Sequence, residues 1–96
     1  MTKADLVSNI SDQLGIDKAD VQATLECFMK EIIISLEKGE NVYLRGFGSF
    51  VVKKRAEKTG RNISKNIAVK IPAHNIPSFK PAKIFVKGVK SKIPVS

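Results

Sequence analysis

Hydrophobic positions in the first part of the chain recur at helical spacing. The first group consists of Leu6, Val7, Ile10 and Leu14. Thr2, three residues before Asp5, is typical of a capping box, and Gly15 favours a helix end. The pattern therefore predicts a short first helix that ends at Gly15.

A longer second helix is predicted between Asp17, which repeats the start signal, and Gly39, a good residue to follow a helix end. Its main apolar face consists of Val21, Leu25, Phe28, Met29, Ile32 and Leu36. Ala23, Cys27 and Ile34 lie on a different side. Ala23 and Cys27 are small enough for a surface, whereas Ile34 favours cover by a partner chain.

From residue 41 onward, the hydrophobic positions follow the spacing of β-strands instead of helical spacing. The apolar positions there are Val42, Leu44, Phe47, Phe50, Val51 and Val52. We interpret them as two strands joined at Gly46 and Gly48, whose backbones tolerate unusual angles.

Residues 53–72 lack aromatic side chains and carry too few large apolar residues for a core of their own. They predict an extended two-stranded arm, with Asn66 able to complete a turn at its tip. On the return, Ile67, Val69 and Ile71 alternate, and Ile76 and Phe79 rejoin the core.

The chain is expected to form one α+β domain over residues 1–96. Its parts are a helical region (1–40), a three-stranded antiparallel sheet with the arm (41–81), a short basic helix (82–90) and a frayed tail (91–96). A chain of 96 residues buries little surface alone, so a partner chain is a reasonable source of stability.

Charge divides the chain sharply. Residues 1–40 carry eight acidic and four basic side chains, a net charge of −4, whereas residues 41–96 carry thirteen basic side chains and only Glu57 as an acid, a net charge of +12. Such a segment repels itself unless it meets a polyanion. Nucleic acid is the first candidate and an anionic membrane surface the second.

Motifs for catalysis, cofactors and metals are missing from the sequence. Cys27 and His74 are the single residues of their types, so neither a disulfide nor a Cys/His zinc site forms within one chain. We interpret His74 as a surface or loop residue. The stretch around Gly46 matches neither a nucleophile elbow nor a P-loop, so we expect neither an enzyme nor a cofactor.

Cellular location is predicted from two absences. No apolar run approaches the roughly 18 residues of a membrane span, and the first residues do not have the pattern of a signal peptide. We expect a soluble cytoplasmic protein.

Several motifs together resemble the bacterial histone-like HU and integration host factor family. They are Gly46-Phe47-Gly48-Ser49-Phe50, Lys53, Arg55, Gly60-Arg61-Asn62, Ile71-Pro72-Ala73 and Phe79-Lys80-Pro81. The resemblance extends without a gap over residues 1 to about 90. It implies an intertwined homodimer with a helical body, whose two β-ribbon arms bind double-stranded DNA in the minor groove.

The same resemblance implies strong DNA bending, little sequence preference and a nucleoid-associated location. The sequence departs from the family at the arm tip, where members commonly carry proline and glycine at the positions of Ile63 and Asn66. The family proline is a wedge between base steps, and isoleucine is able to act in the same way.

The resulting hypothesis assigns DNA contacts along the whole chain. Arm phosphate contacts are expected from Lys53, Arg55, Lys58, Arg61, Lys65 and Lys70. Asn62 is expected to contact base edges, Ile63 to act as the wedge and Asn66 to lie in the tip turn. Contacts to the flanking duplex are expected from Lys3, Lys80, Lys83, Lys87 and the backbone of Gly46, Gly48 and Ser49.

Alternatives to this hypothesis remain open at this point. An RNA-binding module, ribosome-associated or specific for double strands, also suits a small basic domain. The lack of aromatic residues between Phe50 and Phe79 argues against single-stranded ligands. A membrane-surface protein is disfavoured because the basic run is strand-like. A heterodimer with a related chain is the alternative to the homodimer.

Overall fold

The computed structural model describes residues 1–62 and 67–95, without the side chains of residues 61, 62 and 67–69. Its elements are α1 (Lys3–Leu14), α2 (Lys18–Glu37), β1 (Val42–Leu44), β2 (Gly48–Arg55), β3 (Lys58–Asn62), β4 (Ile67–Ile71), β5 (His74–Pro81) and α3 (Lys83–Lys92). This confirms the predicted α+β class with its two leading helices, its antiparallel strands and its terminal helix.

Helix α1 begins with the capping box that the sequence predicts. The Asp5 backbone amide donates to Thr2 Oγ1 at 3.3 Å, and the Thr2 amide donates to the Asp5 carboxylate at 2.9 Å. The helix ends at Gly15, whose φ of 66° is left-handed and suits glycine. These contacts satisfy backbone groups that a helix end leaves without partners.

Helix α2 begins after Asp17, although the Asp17 side chain makes no capping hydrogen bond. The predicted start of α2 is therefore confirmed in position, but capping by the Asp17 side chain is not observed. At the other end, Gly39 has a φ of 79° and follows the helix as predicted. Ser35 Oγ then donates to the Glu40 carbonyl at 2.9 Å, which helps to turn the chain toward β1.

The strands form two antiparallel sheets. Strands β1, β2 and β5 form a three-stranded sheet with β2 in the centre, and β3 and β4 form a two-stranded ribbon. In the larger sheet, Phe50 lies opposite both Val42 and Phe79, and at its far end Arg55 lies opposite His74. The ribbon begins three residues after β2, at Lys58, so residues 53–55 of the predicted arm belong to the larger sheet instead.

Two glycines in the turn between β1 and β2 serve different purposes. Gly46 has a φ of 82° and is the third residue of a turn closed by the Phe47 amide donating to the Leu44 carbonyl at 2.9 Å. Gly48 has no such angle. A Cβ there would lie 2.6 Å from both the Lys80 carbonyl oxygen and the Phe79 ring. The predicted backbone role thus holds for Gly46, whereas Gly48 is required by close packing.

Helix α3 differs from the prediction at its end. It continues to Lys92, two residues beyond the expected end at residue 90. The Ile93 amide donates to the Val89 carbonyl at 3.0 Å and closes the last turn. Lys90 and Lys92 lie in that turn, where positive charge is favourable next to the unpaired carbonyl groups.

The hydrophobic side chains of one chain remain largely uncovered. In the described part of the chain, only Val7 and Val21 are buried hydrophobic residues. Phe28, Met29 and Ile33 of α2 are 45%, 41% and 56% exposed. The main apolar face of α2, which includes Phe28 and Met29, is therefore only partly covered. In the strip of Ala23, Cys27 and Ile34, the side chain of Ile34 is half-buried.

Four phenylalanines form an aromatic cluster between the sheet and α3. The ring centroids of Phe47 and Phe79 lie 5.1 Å apart, those of Phe50 and Phe79 4.9 Å, and those of Phe47 and Phe85 5.6 Å. These distances are typical of favourable aromatic pairs. The cluster fixes the turn and the start of α3 relative to the sheet.

Candidate nucleic-acid interface

The larger sheet has one polar face and one apolar face. Residues opposite each other in antiparallel strands point to the same side, and successive residues alternate. Leu44, Phe50, Val52, Pro77 and Phe79 therefore share one side, which we call the apolar face although Lys54 and Asn75 lie on it at the end next to the arm. The other side, which we call the basic face, carries Tyr43, Ser49, Val51, Lys53, Arg55, His74, Ile76, Ser78 and Lys80.

Four of the predicted contact residues meet on this basic face. Ser49 lies opposite Lys80, Lys53 lies opposite Ile76, and Arg55 lies opposite His74. Lys53, Arg55 and Lys80 are all exposed. The sheet register thus joins residues 19 to 31 positions apart in sequence into one row that leads toward the arm.

The ribbon of β3 and β4 lies between β2 and β5 in the chain. Lys58 lies opposite Ile71 and Thr59 lies opposite Lys70, so Lys58 and Lys70 point to opposite sides of the ribbon. Lys70 Nζ also lies 3.0 Å from Glu57 Oε1, across the base of the arm. Glu57, the single acid of residues 41–96, is therefore neutralised within the arm.

The outer part of the arm is only partly described. The backbone positions of Arg61 and Asn62 lie opposite Ala68 and Ile67. The side chains of Arg61 and Asn62 are outside the described set. Ile63, Lys65 and Asn66, which include the predicted wedge and tip turn, lie outside the described residues altogether.

A basic groove lies where the turn after β1 meets the start of α3. It has a volume of about 410 Å³, and its lining includes Tyr43, Arg45, Gly46, Ser49, Lys80 and Lys83. The Ala82 amide donates to the Phe47 carbonyl at 2.9 Å, which holds α3 against the turn. Three cations thus surround one hollow.

The start of α3 adds to the positive potential of this groove. Ala82 precedes the helix and makes no side-chain capping hydrogen bond, so the first amides of α3 lack a side-chain partner there. Free helix amides favour an anion such as phosphate. Further along α3, Lys83, Lys87 and Lys90 share one side because they lie four and three residues apart.

Lys3 lies apart from these groups, at the start of α1. Its Nζ is 2.8 Å from Glu26 Oε1 in α2, and both side chains are about half exposed. The hydrogen bond from Lys3 lowers the pKa of Glu26 from its ordinary value of 4.5, helped by a hydrogen bond from Gln22 and by the charge of Lys3. The predicted phosphate contact of Lys3 would therefore compete with an ion pair inside the protein.

Two other kinds of feature, a metal site and a membrane-spanning helix, do not occur in the described ranges. Across residues 1–62 and 67–95, no three His, Cys, Asp or Glu side chains come together in a way that would hold a metal ion. Among the helices within those ranges, none is long and apolar enough to cross a membrane.

Comparison with known proteins identifies the family. Residues 1–90 match the family model described as "Bacterial DNA-binding protein". The chain belongs to this family. The DNA-binding protein HU of Thermus thermophilus is 39% identical over 90 residues, which cover 94% of this chain and 93% of that protein. Integration host factor subunit alpha of Aliivibrio fischeri is 39% identical over 83 residues, which cover 86% of this chain and 85% of that subunit.

A solved structure also supports the family assignment. The HU of Anabaena in a cocrystal with DNA has a TM-score of 0.90 and 33% identity, covering 94% of this chain and 98% of that one. The present chain is thus a DNA-binding protein of the HU and integration host factor (IHF) family. This is a family of structural DNA-binding proteins rather than of enzymes.

Two residues of this HU/IHF-family chain that line the basic groove were not anticipated from the sequence. Arg45 directly precedes Gly46, so a cation beside a glycine turn was an available signal. Tyr43 is 73% exposed and lies opposite Ser49, in the same row as Lys80. The neighbourhood of Tyr43 depends on strand register, which residue spacing alone does not specify.

Proposed function

We propose that two copies of this chain form a nucleoid-associated cytoplasmic dimer that binds double-stranded DNA with little sequence preference. The two arms lie in the minor groove and bend the duplex, and the two bodies hold the flanking DNA. The observation that carries this proposal is the basic face, because Lys53, Arg55 and Lys80 share one side of the larger sheet and its strands β2 and β5 lead to and from the ribbon of β3 and β4.

Dimerisation explains why one chain covers its apolar residues so poorly. Phe47, Phe79 and Phe85 contact one another but remain 46%, 37% and 38% exposed. The Cα radius of gyration is 18.8 Å, whereas a compact chain of this length has a radius of about 12.5 Å. An intertwined partner would cover the aromatic cluster and the exposed face of α2.

Pairing with an identical chain is the form of dimer that we propose. The similarity to HU and to an IHF subunit is equal at 39%, so sequence identity does not favour either relative. The mass of the protein purified alone separates the two cases, because a subunit that requires a related chain would stay monomeric or unfolded at micromolar concentration.

Each group of basic residues has a separate role in the proposed complex. Phosphates are neutralised by Lys53 and Arg55 at the end of the larger sheet and by Lys58, Arg61, Lys65 and Lys70 of the arm, which gives affinity without sequence information. Asn62 contacts base edges, and Asn66 turns the chain at the tip. The basic groove and the Lys83 side of α3 hold the flanking duplex, and Lys3 adds a contact after leaving Glu26.

Ile63 is proposed as an apolar wedge between base steps. Partial unstacking of one step costs a few kcal/mol, and the bent duplex offsets this cost by meeting more of the basic surface. The support for the wedge is the position of Ile63 directly after Arg61-Asn62, where related proteins carry proline. Two arms would give two kinks in the DNA.

A competition experiment tests the proposed ligand. A fluorescent DNA duplex bound to the protein is displaced by unlabelled double-stranded DNA, double-stranded RNA or anionic lipid vesicles at fixed salt. We expect DNA to displace the probe at the lowest concentration. Equal or better displacement by RNA would overturn the DNA proposal, and displacement by vesicles alone would indicate a membrane-surface protein.

A further inference from the structure

His74 occupies a position on the basic face that the proposed DNA contacts do not use. It is the first residue of β5, it is exposed, and it lies directly opposite Arg55, the last residue of β2. Two pairs further along, Lys53 lies opposite Ile76 on the same side. His74 therefore stands in the row of cations at the junction between sheet and arm.

The imidazole of His74 is oriented by its own segment of chain. Its Nδ1 lies 3.0 Å from the Pro72 carbonyl oxygen. A carbonyl oxygen only accepts hydrogen bonds, so Nδ1 donates in this contact. Nε2 is then the nitrogen that gains or loses a proton, and a protonated Nε2 is a donor for an anion.

The charged groups around His74 determine how its protonation depends on DNA. From β2, Arg55 and Lys53 add positive charge on the same side of the sheet. At the base of the arm, Glu57 is paired with Lys70 at 3.0 Å and offers little net charge. A phosphate placed between Arg55 and His74 would add a negative charge that favours the protonated imidazole.

We propose that His74 is a proton-dependent phosphate contact at the root of the arm. This inference rests on the proposed function, because it requires DNA along the basic face. Histidine changes its charge between pH 5 and pH 8, so binding takes up protons in that range. DNA affinity then rises as the pH falls, with one His74 contributing from each arm.

The experiment measures the dissociation constant for a short DNA duplex by fluorescence anisotropy between pH 5.5 and pH 8 at constant ionic strength. For the wild-type protein, we expect binding to tighten roughly two- to fivefold per arm as the pH falls, the range of an exposed charge contact. The His74→Gln variant should bind at every pH like the wild type at pH 8. The His74→Lys variant should bind at every pH like the wild type at pH 5.5.

Asn75→Ala is the matched control, because Asn75 is the next residue of β5 and points to the other face of the sheet. It should keep the wild-type pH dependence. The inference is overturned if His74→Gln keeps the same pH dependence as the wild type. A wild-type protein that binds DNA equally at all pH values would overturn it too, while leaving the proposed function intact. Failure to bind DNA at any pH would instead contradict the proposed function.

Discussion

Gly48 shows how a single missing side chain determines the packing around the turn. The strand β2 begins at this residue, in contact with the Lys80 backbone and the Phe79 ring, and both neighbours belong to β5. The Phe79 ring in turn contacts Phe47 and Phe50. Bulk at Gly48 would therefore displace β5 and the aromatic cluster together, whereas Gly46 faces open space and is constrained only by its backbone angle.

The first prediction separates these two roles with the same substitution at both positions. Gly46→Asn should destabilise the protein by less than about 1 kcal/mol, because asparagine visits the left-handed region. Gly48→Asn should cost more than about 2 kcal/mol, because the new atoms meet backbone and a packed ring. Urea unfolding at one fixed protein concentration measures both values. Equal losses at the two positions would contradict the packing role of Gly48.

The second prediction concerns the pair of Lys3 and Glu26. Glu26→Gln removes the carboxylate that holds Lys3, so the freed ammonium group should strengthen binding to a long duplex by up to severalfold at low salt. Isothermal titration or anisotropy measures this gain. The double variant Lys3→Gln with Glu26→Gln is the control and should show no gain, and a gain that survives in the double variant would exclude Lys3 as the cause.

The same pair has a defined effect on stability against pH. The pKa of Glu26 is lowered in the folded protein, so the ion pair contributes stability above the ordinary value of 4.5. That contribution is lost as the pH falls below 4.5. Because both side chains are about half exposed, the effect is expected to be small and to shrink further in high salt.

At the scale of elements, we expect DNA bending to depend on Ile63 and electrostatic affinity to depend on the cations of the arm. The third prediction is that Ile63→Ala reduces DNA bending while the salt dependence of binding stays nearly constant, because isoleucine contributes no charge. Bending is measured by energy transfer between dyes at the two ends of a duplex. Wild-type bending by the alanine variant would remove Ile63 from the wedge role.

Two matched variants accompany this prediction. Ile63→Pro should bend DNA at least as well as the wild type, since proline is also an apolar wedge. Arg61→Ala should weaken binding to all sequences alike and flatten the slope of log affinity against log salt by up to about one unit. An unchanged slope would remove Arg61 from the phosphate contacts.

Local signals in the sequence predicted most of the elements. Thr2, Asp5 and Gly15 marked α1 correctly because capping depends on residues within one turn. Asp17 marked the start of α2 without capping it. Ser, Thr, Asn and Asp give the same sequence signal for a helix start whether or not their side chains accept a hydrogen bond from the helix. The end of α3 was placed two residues early for a similar reason, because helix ends carry weak signals.

The composition of the candidate interface was less predictable than the elements. The lysines and arginines are visible in the sequence as a basic segment, but the row of Ser49, Lys80 and Tyr43 is created by pairing between strands distant in sequence. The need for glycine at position 48 likewise depends on where Phe79 and Lys80 lie. Such contacts follow from register, and a shift by one residue would place every side chain on the other face.

At the scale of the whole molecule, stability should depend on protein concentration. One chain has only Val7 and Val21 as buried hydrophobic residues in its described part, which is too little for a stable monomer. The fourth prediction is therefore that the thermal midpoint rises as the protein is concentrated, because association stabilises the folded form. Calorimetry over a hundredfold range of concentration measures it. A constant midpoint together with a monomeric mass would contradict the dimer.

The central claim is that a dimer bends DNA with its two arms. Energy transfer between dyes at the ends of a short duplex, titrated with protein at two salt concentrations and paired with light scattering of the free protein, tests it most directly. The account predicts a mass of two chains and DNA ends that approach each other on binding, more weakly at the higher salt. A monomeric mass, or binding that leaves the end-to-end distance unchanged, would contradict it.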